Sequence, residues 1–222
     1  MKYRPIIGRN RKWITELTEH HGGIHDQKKF KDGVRMLEYA SEHFRRPNLC
    51  HICFTGANKA IYLAVIKRFC RGLGELDVRY VYKGCVEQEA TKGLHLHLML
   101  VLEHKDDGRP LYSLVNNSPS SVLGRAVGYY QDTSTIQYRV NRSHYSEDNF
   151  LYIGKTKYEP FNEAVEWLSY IYKLRSKPDS GTIYFSSRIK NKRTSTKAGF
   201  FSPEDGLQGK TENDPYAEHT GH

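Results

Sequence analysis

Apolar residues recur along this chain with two periods. From Gly93 to Leu102 the sequence reads Gly-Leu-His-Leu-His-Leu-Met-Leu-Val-Leu, with leucine at alternate positions. A period of two is that of a β-strand. Val78 to Glu87 is rich in β-branched and aromatic residues and predicts a strand, with Ala90-Thr-Lys-Gly93 as the turn between the two. Leu49 to Thr55 predicts a further strand. Between them, Ile61, Val65, Ile66 and Phe69 lie on one side of a helix predicted over Ala57 to Arg71, stopped by Gly72 and Gly74. The resulting order is β-α-β-β, and its last pair is a hairpin.

The flanks are read in the same way. Residues 12–45 predict two helices broken at Gly22-Gly23. The second carries Phe30, Val34, Leu37 and Ala40 or Ser41 at helical spacing, and Pro47 ends it. From 103 to 160 the pattern is weaker, with a helix near 121–131 and short strands near 135–141 and 150–154. Phe161 to Ser176 predicts a helix closed by Pro178, and Thr182 to Ser186 a last short strand. Beyond Pro203 the chain is polar and nearly free of apolar residues, so disorder is expected there. The expected division is an N-terminal helical segment over 1–48, one domain over 49–190, and a tail over 191–222 that is basic and then acidic. The fold class is α+β, an antiparallel sheet flanked by helices.

The strand through His95 and His97 has a chemical consequence. Alternate side chains share a face, so both imidazoles point one way while Leu94, Leu96, Leu98 and Leu100 point the other. Two neutral imidazoles at that spacing can ligate one divalent ion. A turn centred near Thr91 sets Glu87 opposite His95 on the same face, where cross-strand partners stand about 4.5–5.5 Å apart at Cβ. Glu89 has the same parity and is the reserve third ligand; Gln88 has the opposite parity. Two imidazoles and a carboxylate suit Mn²⁺ or Mg²⁺ acting as a Lewis acid on a phosphate. The bland alternative is a pair of histidines on an exposed sheet face.

A second candidate lies on the helix from Phe161. At 100° per residue, Phe161, Ala164, Val165, Leu168, Ile171 and Tyr172 form one apolar stripe, which makes Tyr172 a core residue. Tyr170 lies almost opposite, on a face shared with Lys173 and Lys177. A tyrosine hydroxyl is mostly neutral at pH 7 and attacks phosphorus well only where the phenolate is favoured. A neighbouring ammonium such as that of Lys173 favours it and can also stabilise charge in the transition state.

Charge narrows the partner class. The chain of 222 residues carries a net +9. Its last twenty residues hold five acidic side chains against one lysine, a net −4, which leaves +13 on the rest. Such a body attracts polyanions, nucleic acid first among them. No run approaches the roughly 18 apolar residues of a membrane span, and no long apolar stretch follows the basic start, so a cytoplasmic protein is expected. Four cysteines, Cys50, Cys53, Cys70 and Cys85, are expected as thiols there. Cys50-His-Ile-Cys53 has zinc or redox spacing, but no second pair follows and positions three apart on a strand face opposite ways, so buried thiols are the expectation.

Strand, helix, strand, Glu87, His95-Leu-His97 and then Tyr170-Ile-Tyr-Lys173 form an order that resembles the rolling-circle replication initiators of the HUH (His-hydrophobic-His) endonuclease class. Within that class the chain resembles the inovirus (filamentous phage) gene-two-type replication proteins and their prophage relatives. Their pattern has a glutamate eight positions before the first histidine, a Y-x-x-K motif followed by another lysine, and a downstream serine-arginine segment, here Tyr184-Phe-Ser-Ser-Arg188. The resemblance covers roughly residues 49 to 190; Phe54-Thr55-Gly56 matches the family's first motif only in part. It implies an HUH core with a ferredoxin- or RRM-like sheet and a metal on His95, His97 and Glu87. It further implies that Tyr170 attacks the scissile phosphate with Lys173 beside it, leaving a 5′-phosphotyrosine link and a free 3′-hydroxyl. The implied partners are single-stranded or hairpin origin DNA and a host replicative helicase, in a bacterial cytoplasm. Lys177, Arg188, Lys190, Lys192 and Arg193 would hold DNA phosphates, and Tyr172 is a second nucleophile only if its helical face allows. A transposase or relaxase of the same chemistry, or a non-catalytic nucleic-acid-binding relative, remains as an alternative.

Overall fold

The computed structural model describes residues 2–7, 12–17, 27–91, 93–104, 108–141, 149–154, 158–172 and 184–187, with the backbone alone at 2–7, 12–17, 27, 133, 158, 159 and 170. The fold is α+β. Strands β3 (Pro47–Thr55), β4 (Tyr80–Glu89) and β5 (Gly93–Glu103) enclose helix α2 (Lys59–Glu75) in chain order. All pairing is antiparallel: β5 lies between β3 and β4, β6 (Gln137–Asn141) extends the sheet beyond β3, and β8 (Tyr184–Ser186) extends it beyond β4. The two-residue β7 (Leu151–Tyr152) also pairs with β3. The β3-α2-β4-β5 unit is the split β-α-β arrangement of ferredoxin- and RRM-like sheets.

Each sheet face has its own core. Leu96, Leu98, Leu100 and Leu102 of β5 join Ile52, Phe54, Tyr82 and Val86 beneath α2 and α3 (Val122–Gly128). On the other face, Met99 and Val101 join Leu49, Val81 and Cys85 beneath α1 (Gln27–His43) and α4 (Tyr158–Ser169). The alternation within β5 produces this split. The near-continuous apolar sequence of β4 and β5 matches strands covered on both sides. Buried Tyr62 of α2 donates its hydroxyl to the Leu94 carbonyl at 2.8 Å and so pins the start of the histidine strand.

Three expectations need correction. Among the described residues of 12–45 there are not two helices: Lys12–Leu17 is strand β2, paired with β1 (Lys2–Ile7), and the helix present is the second one, α1. The N-terminal 1–48 segment is therefore not wholly helical. Trp13, Ile14 and Thr15 are strand-favouring residues in a run too short for its period to decide. Secondly, α2 passes through Gly72 and Gly74 to Glu75. A Cβ on Gly72 would stand 2.8 Å from Cγ1 of Val122, so this glycine admits α3 rather than ending the helix. The stop comes at Asp77, in the left-handed region at φ 53°. Finally, the α-helix from Tyr158 ends at Ser169, and Tyr170–Tyr172 tightens into a 3₁₀ turn.

Candidate metal centre

The β4–β5 hairpin assembles the site. Glu89 pairs with Gly93, whose φ of +67° is the backbone state that favours glycine, and the register then runs Glu87 with His95 and Cys85 with His97. Glu87, His95 and His97 are all buried and offer ligand atoms within 4.8 Å of one another. Glu87 Oε2 lies 3.4 Å from His95 Nε2 and 3.6 Å from His97 Nε2. Its other oxygen, Oε1, accepts from the Cys85 thiol at 3.7 Å. One carboxylate oxygen is thus held while the other faces both imidazoles. Glu89 stands farther off, Oε1 being 3.9 Å from His95 Nε2, with its side chain 23% exposed. Gln88 pairs with Leu94 and is exposed.

Donor chemistry shows that these residues fit a cation. His95 Nδ1 lies 3.1 Å from the Gly93 carbonyl, which can only accept, so Nδ1 carries a hydrogen and, in the neutral ring, the Nε2 lone pair faces Glu87. Two facing acceptors need a shared hydrogen or a metal ion between them. Ligand atoms about 2.1 Å from one ion stand about 3.0 Å apart at 90° and about 3.4 Å apart at the tetrahedral angle. The 3.4 and 3.6 Å spacings need little contraction to reach that range. Glu87, His95 and His97 would be the ligands of such an ion.

The composition of the next shell was not legible from the sequence. His51 of β3 stands opposite Met99, so His97 is its diagonal neighbour, and His51 Nε2 lies 2.8 Å from His97 Nδ1. Asn141 of β6 pairs with His51, and its side chain meets His51 Nδ1 at 3.0 Å. Trp167 of α4 packs edge-on to the His51 ring, with centroids 5.7 Å apart at 89°. The usable signal was parity, since His51 and Cys53 alternate as His95 and His97 do.

Tyr172 is core, as its apolar stripe requires: Phe161, Ala164, Val165, Leu168, Ile171 and Tyr172 are all buried. Its ring stacks on Tyr184 of β8 at 5.4 Å and meets Phe30 edge-on at 6.0 Å. Tyr184 pairs with Cys85, and Cys85 with His97. The end of α4 and the 3₁₀ turn after it therefore touch β3, at Trp167, and β8, at Tyr172, and in the sheet β5 and β4 lie between those two strands. The backbone of Tyr170 is within this stretch, three positions after Trp167. Lys173, Lys177, Arg188, Lys190, Lys192 and Arg193 lie outside the described residues. Ser187 is buried and its hydroxyl accepts from the Tyr82 amide at 2.9 Å, which fastens β8 to the sheet.

All four cysteines are free thiols; Cys50, Cys70 and Cys85 are buried and Cys53 is half-buried. Cys50 belongs to the core beneath α2, while Cys53 pairs with His97 on the opposite face, so the C-x-x-C spacing brings no shared site. Among the described residues, no helix is long and apolar enough to cross a membrane. Comparison with protein-family models, with curated proteins and with solved structures found no match.

Proposed function

We propose that this protein is a metal-dependent, tyrosine-nucleophile DNA endonuclease and strand transferase of the HUH class, which nicks single-stranded or origin DNA to start rolling-circle replication. One observation carries the reading: a hairpin brings together a buried acid and two imidazoles, and Trp167, on the helix that leads into Tyr170, packs on His51, the hydrogen-bonded neighbour of His97. The net charge of +9 is consistent with a DNA substrate.

A divalent ion held by Glu87, His95 and His97 would act as a Lewis acid on the scissile phosphate. Imidazole nitrogens suit Mn²⁺ better than Mg²⁺, which prefers oxygen ligands, so Mn²⁺ is the assay ion. Tyr170 supplies the attacking phenolic oxygen. The bond from phosphorus to that oxygen forms, the bond to the 3′-oxygen breaks, and the phenol's proton passes to the leaving oxygen. The 5′-phosphotyrosine link conserves the bond, so a later 3′-hydroxyl displaces Tyr170 and rejoins the strand. Lys173 offsets the charge of the transition state, and Lys177, Arg188, Lys190, Lys192 and Arg193 hold the DNA backbone.

The test is a nicking assay on supercoiled origin DNA and on single-stranded DNA with Mn²⁺. The expected result is a covalent protein–DNA adduct with wild type and with Tyr172→Phe if that variant folds, and none with Tyr170→Phe. Peptide mapping should find the link on Tyr170. DNA binding without an adduct would favour a non-catalytic relative.

A further inference from the structure

We propose that His51 and Asn141 form a relay that sets which ring nitrogen of His97 carries its hydrogen, and thereby governs how tightly the site holds a divalent cation. The inference rests on the metal reading above and adds two positioning residues to it. The three groups form a hydrogen-bonded chain: Asn141 side-chain amide to His51 Nδ1 at 3.0 Å, and His51 Nε2 to His97 Nδ1 at 2.8 Å. Both imidazoles are buried, with relative exposures of 4% for His51 and 6% for His97. Trp167 closes on His51 from α4 and restrains its ring.

With both rings neutral, two hydrogen arrangements satisfy the same positions of the heavy atoms. In one, the Asn141 NH₂ group donates to His51 Nδ1, His51 Nε2–H donates to His97 Nδ1, and the hydrogen of His97 sits on Nε2, toward Glu87. In the other, His97 Nδ1–H donates to His51 Nε2, and His51 Nδ1–H donates to the Asn141 side-chain carbonyl, the amide having turned over. Only the second leaves a lone pair on His97 Nε2 for a cation. Each ring keeps one hydrogen in both arrangements, so the exchange gains and loses no proton overall. His95 needs no such relay, because the Gly93 carbonyl already holds its hydrogen on Nδ1. His97 is thus the ligand whose readiness depends on its neighbours, and outer-shell partners of ligating histidines commonly change metal affinity by about 10–100-fold.

Mn²⁺ affinity and metal-free ¹⁵N imidazole shifts, measured on the full chain, test the relay. His51→Leu removes the acceptor and is expected to weaken Mn²⁺ binding at least ~10-fold. His51→Gln offers a carbonyl to His97 Nδ1–H and is expected to recover most of that loss. Asn141→Asp, ionised, can only accept, so the metal-free variant is expected to show the His97 hydrogen on Nδ1, a result that added negative charge alone does not produce. If His51→Leu fails to fold, His51→Gln and Asn141→Asp carry the test. Unchanged affinity in His51→Leu, or a His97 hydrogen on Nε2 in Asn141→Asp, overturns the relay while leaving the metal site standing. A wild type that binds no Mn²⁺ overturns both.

Discussion

The indole of Trp167 meets the ring of His51 edge-on, with centroids 5.7 Å apart. This contact joins the helix that leads to Tyr170 to the imidazole beside His97. Trp167 is one of two tryptophans, the other being Trp13. A paramagnetic ion one imidazole pair away should quench it. In Trp13→Phe protein, Mn²⁺ titration is expected to quench the remaining fluorescence saturably, and His95→Ala should abolish the effect. Quenching that persists in His95→Ala would place the ion elsewhere.

Glu87 and Glu89 share a strand face but should differ in weight. Glu87 Oε2 faces both imidazoles, whereas Glu89 stands 3.9 Å from His95 and is partly exposed. Calorimetric titration is expected to show Mn²⁺ binding lost in Glu87→Gln and weakened only a few-fold in Glu89→Gln. The reverse order would make Glu89 the ligand.

Bound metal should stabilise the fold, since the three ligands come together only when β4 and β5 pair. Saturation at about 100 times the dissociation constant adds about 2.7 kcal/mol. Thermal melts should move upward with Mn²⁺, return with a chelator, and show no metal response in His97→Ala.

Gly33 lies where α1 meets α4. A Cβ there would stand 2.7 Å from the Tyr172 hydroxyl oxygen and 2.8 Å from Leu168 Cδ2. Glycine-to-alanine changes in helices usually stabilise by roughly 0.5–1 kcal/mol. Here crowding should reverse the sign, with a net loss of about 1–3 kcal/mol from overpacking. Chemical denaturation of Gly33→Ala measures it, and a gain in stability would refute the close packing of these helices.

The thiols should react unequally. Burial raises the Cys50 thiol well above its ordinary range and pushes Cys70 up to about 12. Cys53 is half-buried. Mass spectrometry after brief native alkylation should find Cys53 labelled first, and Cys50 and Cys70 only after unfolding. Equal labelling of Cys50 and Cys53 would mean that β3 does not hold them on opposite faces.

The acid and its two histidines were legible in the sequence because a hairpin is local. A short turn sets its register, and a period of two then assigns Glu87, His95 and His97 to one face before any long-range contact is known. The buried stripe from Phe161 to Tyr172 was legible for a similar reason, its spacing being internal to α4 and the turn that continues it. His51 and Asn141 were not. They reach His97 through pairings between strands 46 to 90 residues apart, where packing rather than a turn chooses the register. Tertiary contacts also overrode local preference at Gly72, where α3 packs against the glycine and α2 continues, and decided Lys12–Leu17, where the period was too short to choose and pairing with β1 selects a strand. Short-range periodicity specified which side chains can bind a cation; the assembled sheet decided what surrounds them, because hydrogen bonds across distant strands exist only once the core has formed.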